Sequence, residues 1–284
     1  MTLQEDTRRP TACRSDEDVV KPKLAPRSRK PAVNRSVARA LALLLDAARS
    51  SKAQSFVEFQ KRHKLPKATL HKLLITLETL EFLRRDEDTG KYSIGIAAME
   101  VSAAGAASPG DLPNLLAPVL QKLVADSTET CHLGILVGGE EVILKRVDPP
   151  EQVVRLATLV GRRHPAHASA GGLASLALNV DEAIVATIPD SLPQLTKNTL
   201  KTREDLLARL ADVREKGYAI ELEEAYVGVR CVGAAVAVKG WPAVHISLSI
   251  PVQRASLERL HRLAKPLKEA AKEIEKILSL TPRI

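Results

Sequence analysis

The sequence predicts an α+β chain of two unequal parts. A small N-terminal unit of three helices and a β-hairpin is joined by a short helix to a larger unit built on an antiparallel sheet. Three observations predict this. Apolar residues recur at helical spacing through residues 34–80 and then give way to two short extended runs. From Glu129 onward, strand-like runs with turn residues are mixed with helical stretches. The positive charge is confined to the first part: the 284-residue chain carries a net +8, and residues 27–95 hold 15 Lys or Arg against 7 Asp or Glu. Residues 1–26 hold 5 of each sign and residues 96–284 hold 22 of each.

Residues 1–33 mix both charges with Pro10, Pro22, Pro26 and Pro31 and show no periodic apolar face, which predicts a disordered arm. The first helix falls on "NRSVARALALLLDAARS", with Val37, Leu41, Leu44 and Leu45 on one side. A second, "QSFVEFQKRHK", brings Phe56, Val57 and Phe59 to close a small core with it. A short break at Lys64 and Leu65 leads into "LPKATLHKLLITLETLEFL", where Leu70, Leu73, Leu74, Leu77 and Leu80 line one side. Pro66 suits a first helical position, because its missing N–H would be unpaired there. Two helices joined by such a break make a helix-turn-helix.

The front of the third helix is short or cationic on its other face, where a helix N-terminus favours an anion. That combination suits entry into a major groove. An amphipathic surface helix with a charged start is the plainer alternative for this helix alone. The confinement of the charge excess to the same segment favours a nucleic-acid binder. In "EFLRRDEDTGKYSIG", Phe82, Leu83, Tyr92 and Ile94 lie in two extended runs around a turn-dense "DEDTG", which makes a hairpin and hence a winged helix-turn-helix over residues 34–95. The candidate contacts to double-stranded DNA are Arg39, Lys67, Thr69, His71 and Lys72 on the helices, with Arg84, Arg85 and Lys91 on the wing.

Composition narrows the alternatives. No run of 18 or more apolar residues offers a membrane span, and the N-terminus has no apolar signal-peptide core, so a cytoplasmic location is expected. Cys13, Cys131 and Cys231 show neither a CxxC pair nor zinc-finger spacing, which predicts reduced thiols and no metal or other cofactor. With 3 Phe, 3 Tyr and 1 Trp, base stacking on an aromatic platform is disfavoured.

"IGIAAMEVSAAGAAS" predicts a linker helix, ended by Ser108, Pro109 and Gly110, so that residues 96–110 form a linker and hinge. Helical spacing resumes at "LPNLLAPVLQKLVADST". "ETCHLGILVGGEEVILKRVD" reads as strand, turn, strand, with Gly138 and Gly139 at the turn, and "EQVVRLATLVG" as a third strand. "HASAGGLASLALN", "VDEAIVATI" and "TREDLLARLADVREKG" read as helices, with Gly217 as a C-terminal cap. "YAIEL", "RCVGAAVAV" and "AVHISLSI" add three strands, and "ASLERLHRLAKPLKEAAKEIEKIL" closes the chain as a long helix. The expected product is a domain over residues 111–284 whose sheet is covered on one face by helices. Catalytic signatures are weak. Cys131 and His132 are adjacent on a strand and so point to opposite faces, and no Gly-x-Ser-x-Gly, Walker loop or HExxH occurs.

The segments "SVARALALLLDAA", "LPKATLHKLLITLE" and "DEDTGKYSIG" resemble the winged-helix half of IclR-type transcriptional regulators. "VGRRHPAHASAGGLASLA", "REKGYAIELEEAYVGVRCVGAAV" and "HISLSIPVQR" resemble the second half, in the same order. The resemblance runs from about Asn34 to Leu278. It implies a DNA-binding domain, a linker helix and a GAF-like sensor, assembled as a homodimer or homotetramer on a near-palindromic operator, with a small carboxylate or aromatic effector. Carried over by position, the effector pocket would be lined by His167, Ser169, Ala170, Gly171 and Gly172, by Glu221 and Cys231, and by Ser247 and Ser249. Three positions depart from the pattern: Glu221 stands in place of an Asp or Asn-like residue, Leu173 in place of Lys, and His164 in place of an apolar residue. The rival from another class is a metabolite-binding module or enzyme whose basic domain lacks operator specificity.

Overall fold

The computed structural model describes residues 33–50, 52–106, 111–151, 158–179 and 188–281. The first helix, α1 (Arg35–Arg49), starts at Asn34, whose side chain accepts from the backbone N–H of Ser36 and Val37. The second, α2 (Phe56–His63), opens on a capping box in which Ser55 and Glu58 satisfy each other's backbone donors. It stops at Lys64, held at φ 49°, and this left-handed residue turns the chain sharply into α3 (Lys67–Thr79). Pro66 takes the N-cap position, one residue earlier than a first helical turn, and no side chain caps α3. Strands β1 (Leu83–Arg85) and β2 (Tyr92–Ile94) pair antiparallel, and Gln54 bridges the outer edge of Tyr92.

The core of this part is Leu43, Ala47, Phe59, Leu70, Leu74, Leu77, Leu83 and Tyr92. It corrects the expected face of α1. Leu44 packs against this core, but Val37, Leu41 and Leu45 are 55%, 52% and 53% exposed. Four leucines in five positions overfill one helical side, so spacing alone does not select the buried one. Val57 also points outward, and Leu80 is exposed just past the end of α3.

Helix α4 (Ile96–Ala106) follows the hairpin directly. The expected break at Ser108, Pro109 and Gly110 lies outside the described residues. The next helical stretch is split into α5 (Leu112–Leu115) and α6 (Ala117–Ser127), with Pro118 in the first turn of α6. The large sheet has the order β5-β4-β3-β8-β7-β6, every neighbouring pair antiparallel. Its strands are β3 (Thr130–Val137), β4 (Glu140–Val147), β5 (Arg163–Pro165), β6 (Ala219–Leu222), β7 (Val229–Val236) and β8 (Val244–Pro251). β5 was not expected as a strand. The run expected as a third strand falls mostly on residues 152–157, and the helix expected at "VDEAIVATI" on residues 180–187, both outside the described residues.

Helices cover both faces of the sheet, not one. Cys131, Leu133, Val232, Ala234, Val244, Ile246, Leu248 and Ile250 pack with α6 and the long C-terminal α9 (Leu257–Leu280). On the other face lie α7 (Ala170–Asn179) and α8 (Arg203–Lys216), whose Leu173, Leu206, Leu210 and Val213 form a second core with Ala219. Gly217, at φ 74°, caps α8 as expected. Alternation along each strand produces this division, because successive side chains point to opposite faces. It sends His132, Cys231, Ser247 and Ser249 to the α7 side.

Candidate functional site

In the N-terminal part, α3 is held to the core by Leu70, Leu74 and Leu77, which leaves its opposite face free. Lys67, His71 and Lys72 are exposed and Thr69 is half-buried at the front of that face. The His71 ring lies edge-on to Phe56, 6.5 Å between centroids, so it starts from a supported position. Asp46 on α1 bonds Arg62 Nε at 2.9 Å and His63 Nε2 at 2.8 Å, fixing α2 against α1. On the wing, the Asp86 side chain accepts from Thr89 N and Oγ1 and shapes the turn. Arg84 and Arg85 occupy successive strand positions and so leave opposite faces of the hairpin. Arg85 sits over the Tyr92 ring, 5.8 Å from its centroid. Arg39 and Lys91 are exposed. The eight residues selected as DNA contacts are therefore accessible in whole or part, with Arg85 partly engaged by the protein itself.

The second site is a cavity of about 60 Å³ between the start of α7 and its face of the sheet. One water centre needs on the order of 10–15 Å³, so there is room for a small organic molecule. Ser169, Ala170, Gly171, Glu221, Cys231, Ser247 and Ser249 all line it, drawn from four separate stretches of chain. Register explains the convergence: Cys231 pairs with Ser249 and with Glu221, while His132 pairs with Ser247. Two residues of the expected set are not on its wall. His167 turns away and its Nε2 meets the Pro193 carbonyl at 2.9 Å. Gly172 supports the helix start from behind: its N–H donates to Ser169 Oγ, and a Cβ there would collide with Ala166.

The structure adds wall residues that the sequence reading did not select: His132, Glu141, Ile143, Thr158, Ala225, Tyr226 and Val229. His164 also lines the cavity, and burial lowers its pKa. Its ring stands edge-on to Tyr226 at 5.5 Å. A buried chain runs behind the wall, from Ser175 Oγ to His245 Nδ1 at 2.9 Å and from His245 Nε2 to Glu141 Oε1 at 2.9 Å. Gly171 and Gly134 make room for it, since a Cβ at either would strike the His245 ring. Burial alone would push the Glu141 carboxyl up, but hydrogen bonds from His245 and Ser169 and the charge of His245 bring it down to about 2.

Two polar atoms of the wall have no hydrogen-bond partner among the described residues, His132 Nε2 and Glu221 Oε2. His132 is 3% exposed, its Nδ1 lies 3.3 Å from Ser249 Oγ, and burial pushes its pKa down to about 4. Glu221 is 1% exposed, and its Oε1 accepts from the backbone N–H of Glu224 and of Ala225. Burial pushes its carboxyl up to about 7 against those hydrogen bonds. Cys231 is also pushed well above an ordinary thiol by burial and by Glu221, which favours its neutral thiol, and its Sγ lies 3.3 Å from Ser249 Oγ. The cavity thus gathers hydroxyls, a thiol, two imidazoles and two carboxyls around a helix start, with Glu141 held by His245 and Ser169.

The sequence pattern described as "Bacterial transcriptional regulator IclR C-terminal" matches residues 105–276. The chain is 31% identical over 271 residues to the acetate operon repressor of Salmonella typhimurium, covering 90% of this chain and 97% of that one. Its structure is similar to an IclR transcriptional regulator of Alicyclobacillus acidocaldarius, with a TM-score of 0.76 and 25% identity over 87% of this chain and 99% of the other. It is also similar to an IclR homolog of Microbacterium hydrocarbonoxydans solved with 4-hydroxybenzoate, with a TM-score of 0.70 and 25% identity over 86% and 98% of the two chains.

Proposed function

The chain belongs to the IclR family of bacterial transcriptional regulators, and from that premise we propose that it binds one operator sequence with an affinity set by a small organic acid. The observation that carries the effector half is the cavity at the start of α7, two of whose wall residues, His132 and Glu221, each keep a buried polar atom without a partner among the described residues. Buried polar groups without partners are rare, because each costs the free energy of a lost hydrogen bond. A carboxylate or aromatic acid would meet backbone N–H groups at Ala170 and Gly171, where a helix start favours negative charge, and the hydroxyls of Ser247 and Ser249. The 4-hydroxybenzoate in the related structure supports this ligand class. Residues 34–95 form the DNA-binding unit in this reading, 96–110 the linker and 111–284 the sensor, working in the cytoplasm. No described helix is long and apolar enough to cross a membrane.

On the DNA side, Thr69 and His71 read base edges while the lysines and wing arginines hold phosphates. Salt-titrated anisotropy on operator and random duplexes tests this. Thr69→Ala and His71→Ala should each lose about 1–3 kcal/mol on the operator and little on random DNA. Equal losses on both would remove the base-reading role. A flat preference across genomic fragments would instead leave the basic domain without operator specificity.

A further inference from the structure

Glu221 is the one carboxyl of the cavity wall without a basic side chain bonded to it among the described residues. The other, Glu141, is held by His245 Nε2 at 2.9 Å. Nearby Glu224 lies on the loop after β6 and is answered by Arg209 of α8, whose Nη1 is 2.9 Å away. The remaining titratable groups around Glu221 are Cys231 on β7, His132 on β3, His164 on β5 and Tyr226 on the loop. No Lys or Arg lines the cavity among the described residues. An ionised Glu221 and a bound carboxylate would therefore be two like charges in a water-poor space, which disfavours the pair strongly.

One proton removes the conflict, and the geometry says where it sits. Oε1 is occupied by two backbone donors, while Oε2 of this cavity-lining residue is buried without a hydrogen-bond partner among the described residues. We infer that the cavity takes an acid together with one proton, held on Glu221 Oε2 and donated as a hydrogen bond to the ligand carboxylate. The proton comes from solvent, and no covalent bond forms or breaks. An O–H to carboxylate contact is among the stronger hydrogen bonds. Burial already raises the free carboxyl to about 7, so the site is half prepared at neutral pH before ligand arrives. The inference rests on the reading of this cavity as the effector site.

Calorimetry on the full-length chain tests it, with acetate, lactate, pyruvate and 4-hydroxybenzoate as probes at pH 6, 7 and 8. Each titration is run in two buffers of different ionisation enthalpy, which reads proton uptake directly. An acid that binds should take up close to one proton at pH 8 and little at pH 6. Its affinity should fall by up to about tenfold per pH unit above 7 and stay level below it. Glu221→Gln, which fixes the donor, should bind the same acid with an affinity independent of pH and no proton uptake. Wild-type binding without proton uptake at pH 8 overturns the proton-linked site while leaving the effector reading in place. Uptake that persists in Glu221→Gln overturns it by moving the proton elsewhere, His132 being the alternative acceptor. Failure of all four acids to bind the wild type at pH 6 overturns both readings.

Discussion

At the scale of single residues, Glu221 shows how burial sets chemistry. It sits on β6 beside Cys231 and Ser249, and its carboxyl is raised from its ordinary 4.5 to about 7. Between those two values the folded chain holds a proton that the unfolded chain releases. Stability therefore falls as pH rises from about 4.5 to 7 and is level above it. Glu221→Gln should remove that loss. Its melting midpoint should match wild type near pH 4 and exceed it at pH 8, by a gain on the order of 3 kcal/mol. Thermal unfolding across this range checks it, and a gain of the same size at pH 4 and pH 8 would contradict the titration. His132 has the opposite sense. Its pKa is pushed down to about 4, so the unfolded chain takes a proton first as pH falls below 6.5, and acid destabilises the fold over that window. Neither effect was legible in the sequence. Glu221 stands out in the sequence only through resemblance, and His132 only as the neighbour of Cys131. What places both on one wall is register across β3, β8, β7 and β6, a long-range property that local pattern does not encode.

At the scale of elements, local signals did better. Lys64 and Gly217 sit where a break and a cap were legible, and the Ser55–Glu58 capping box is a local device that the structure adds. The bounds of α3 and of the hairpin agree with the periodicity to within a residue or two. The faces of α1 and of the large sheet were harder, because apolar residues occur on more than one side of each. The α1 leucines outnumber the buried positions, and the sheet's second cover begins with α7, whose alanines and glycines carry little apolar signal. The wing offers a test at this scale. The hairpin sends Arg84 and Arg85 to opposite faces, and Arg85 is stacked on Tyr92. Arg84→Ala should weaken binding to all duplexes alike and reduce the salt slope by about 1, as expected for one lost phosphate contact. Arg85→Ala should change the slope less and lower the melting midpoint slightly through lost packing. Equal slopes for the two variants would mean that the stack opens on DNA.

At the scale of the whole molecule, the unused apolar surface of the first part points to assembly. Val37, Leu41 and Leu45 repeat every fourth residue along α1, each more than half exposed, and Ile96 and Met99 on α4 are 52% and 61% exposed. A stripe of this spacing is what a second helix would cover. One winged helix also makes too few base contacts for genomic specificity, whereas a two-fold dimer doubles them on half-sites about 34–36 Å apart or a multiple of that. A dimer formed through α1 would set this spacing by holding two copies of α3 at a fixed separation. Leu41→Glu should then shift the chain toward monomer in sedimentation and abolish preference for the paired site over a single half-site. Its melting midpoint at low concentration should stay close to that of wild type, since Leu41 is half exposed and lies outside the buried core of its own chain. A small acid in the sensor could act on DNA through the same spacing. Any coupling is reciprocal and typically about 1–3 kcal/mol, so operator DNA must change the acid's affinity by the factor that the acid changes the operator's. In the Leu41→Glu monomer that coupling should vanish, because a single half-site has no spacing for the ligand to alter. Full coupling in the monomer would show that the signal runs within one chain, from the sensor to its own α3, without passing through the dimer.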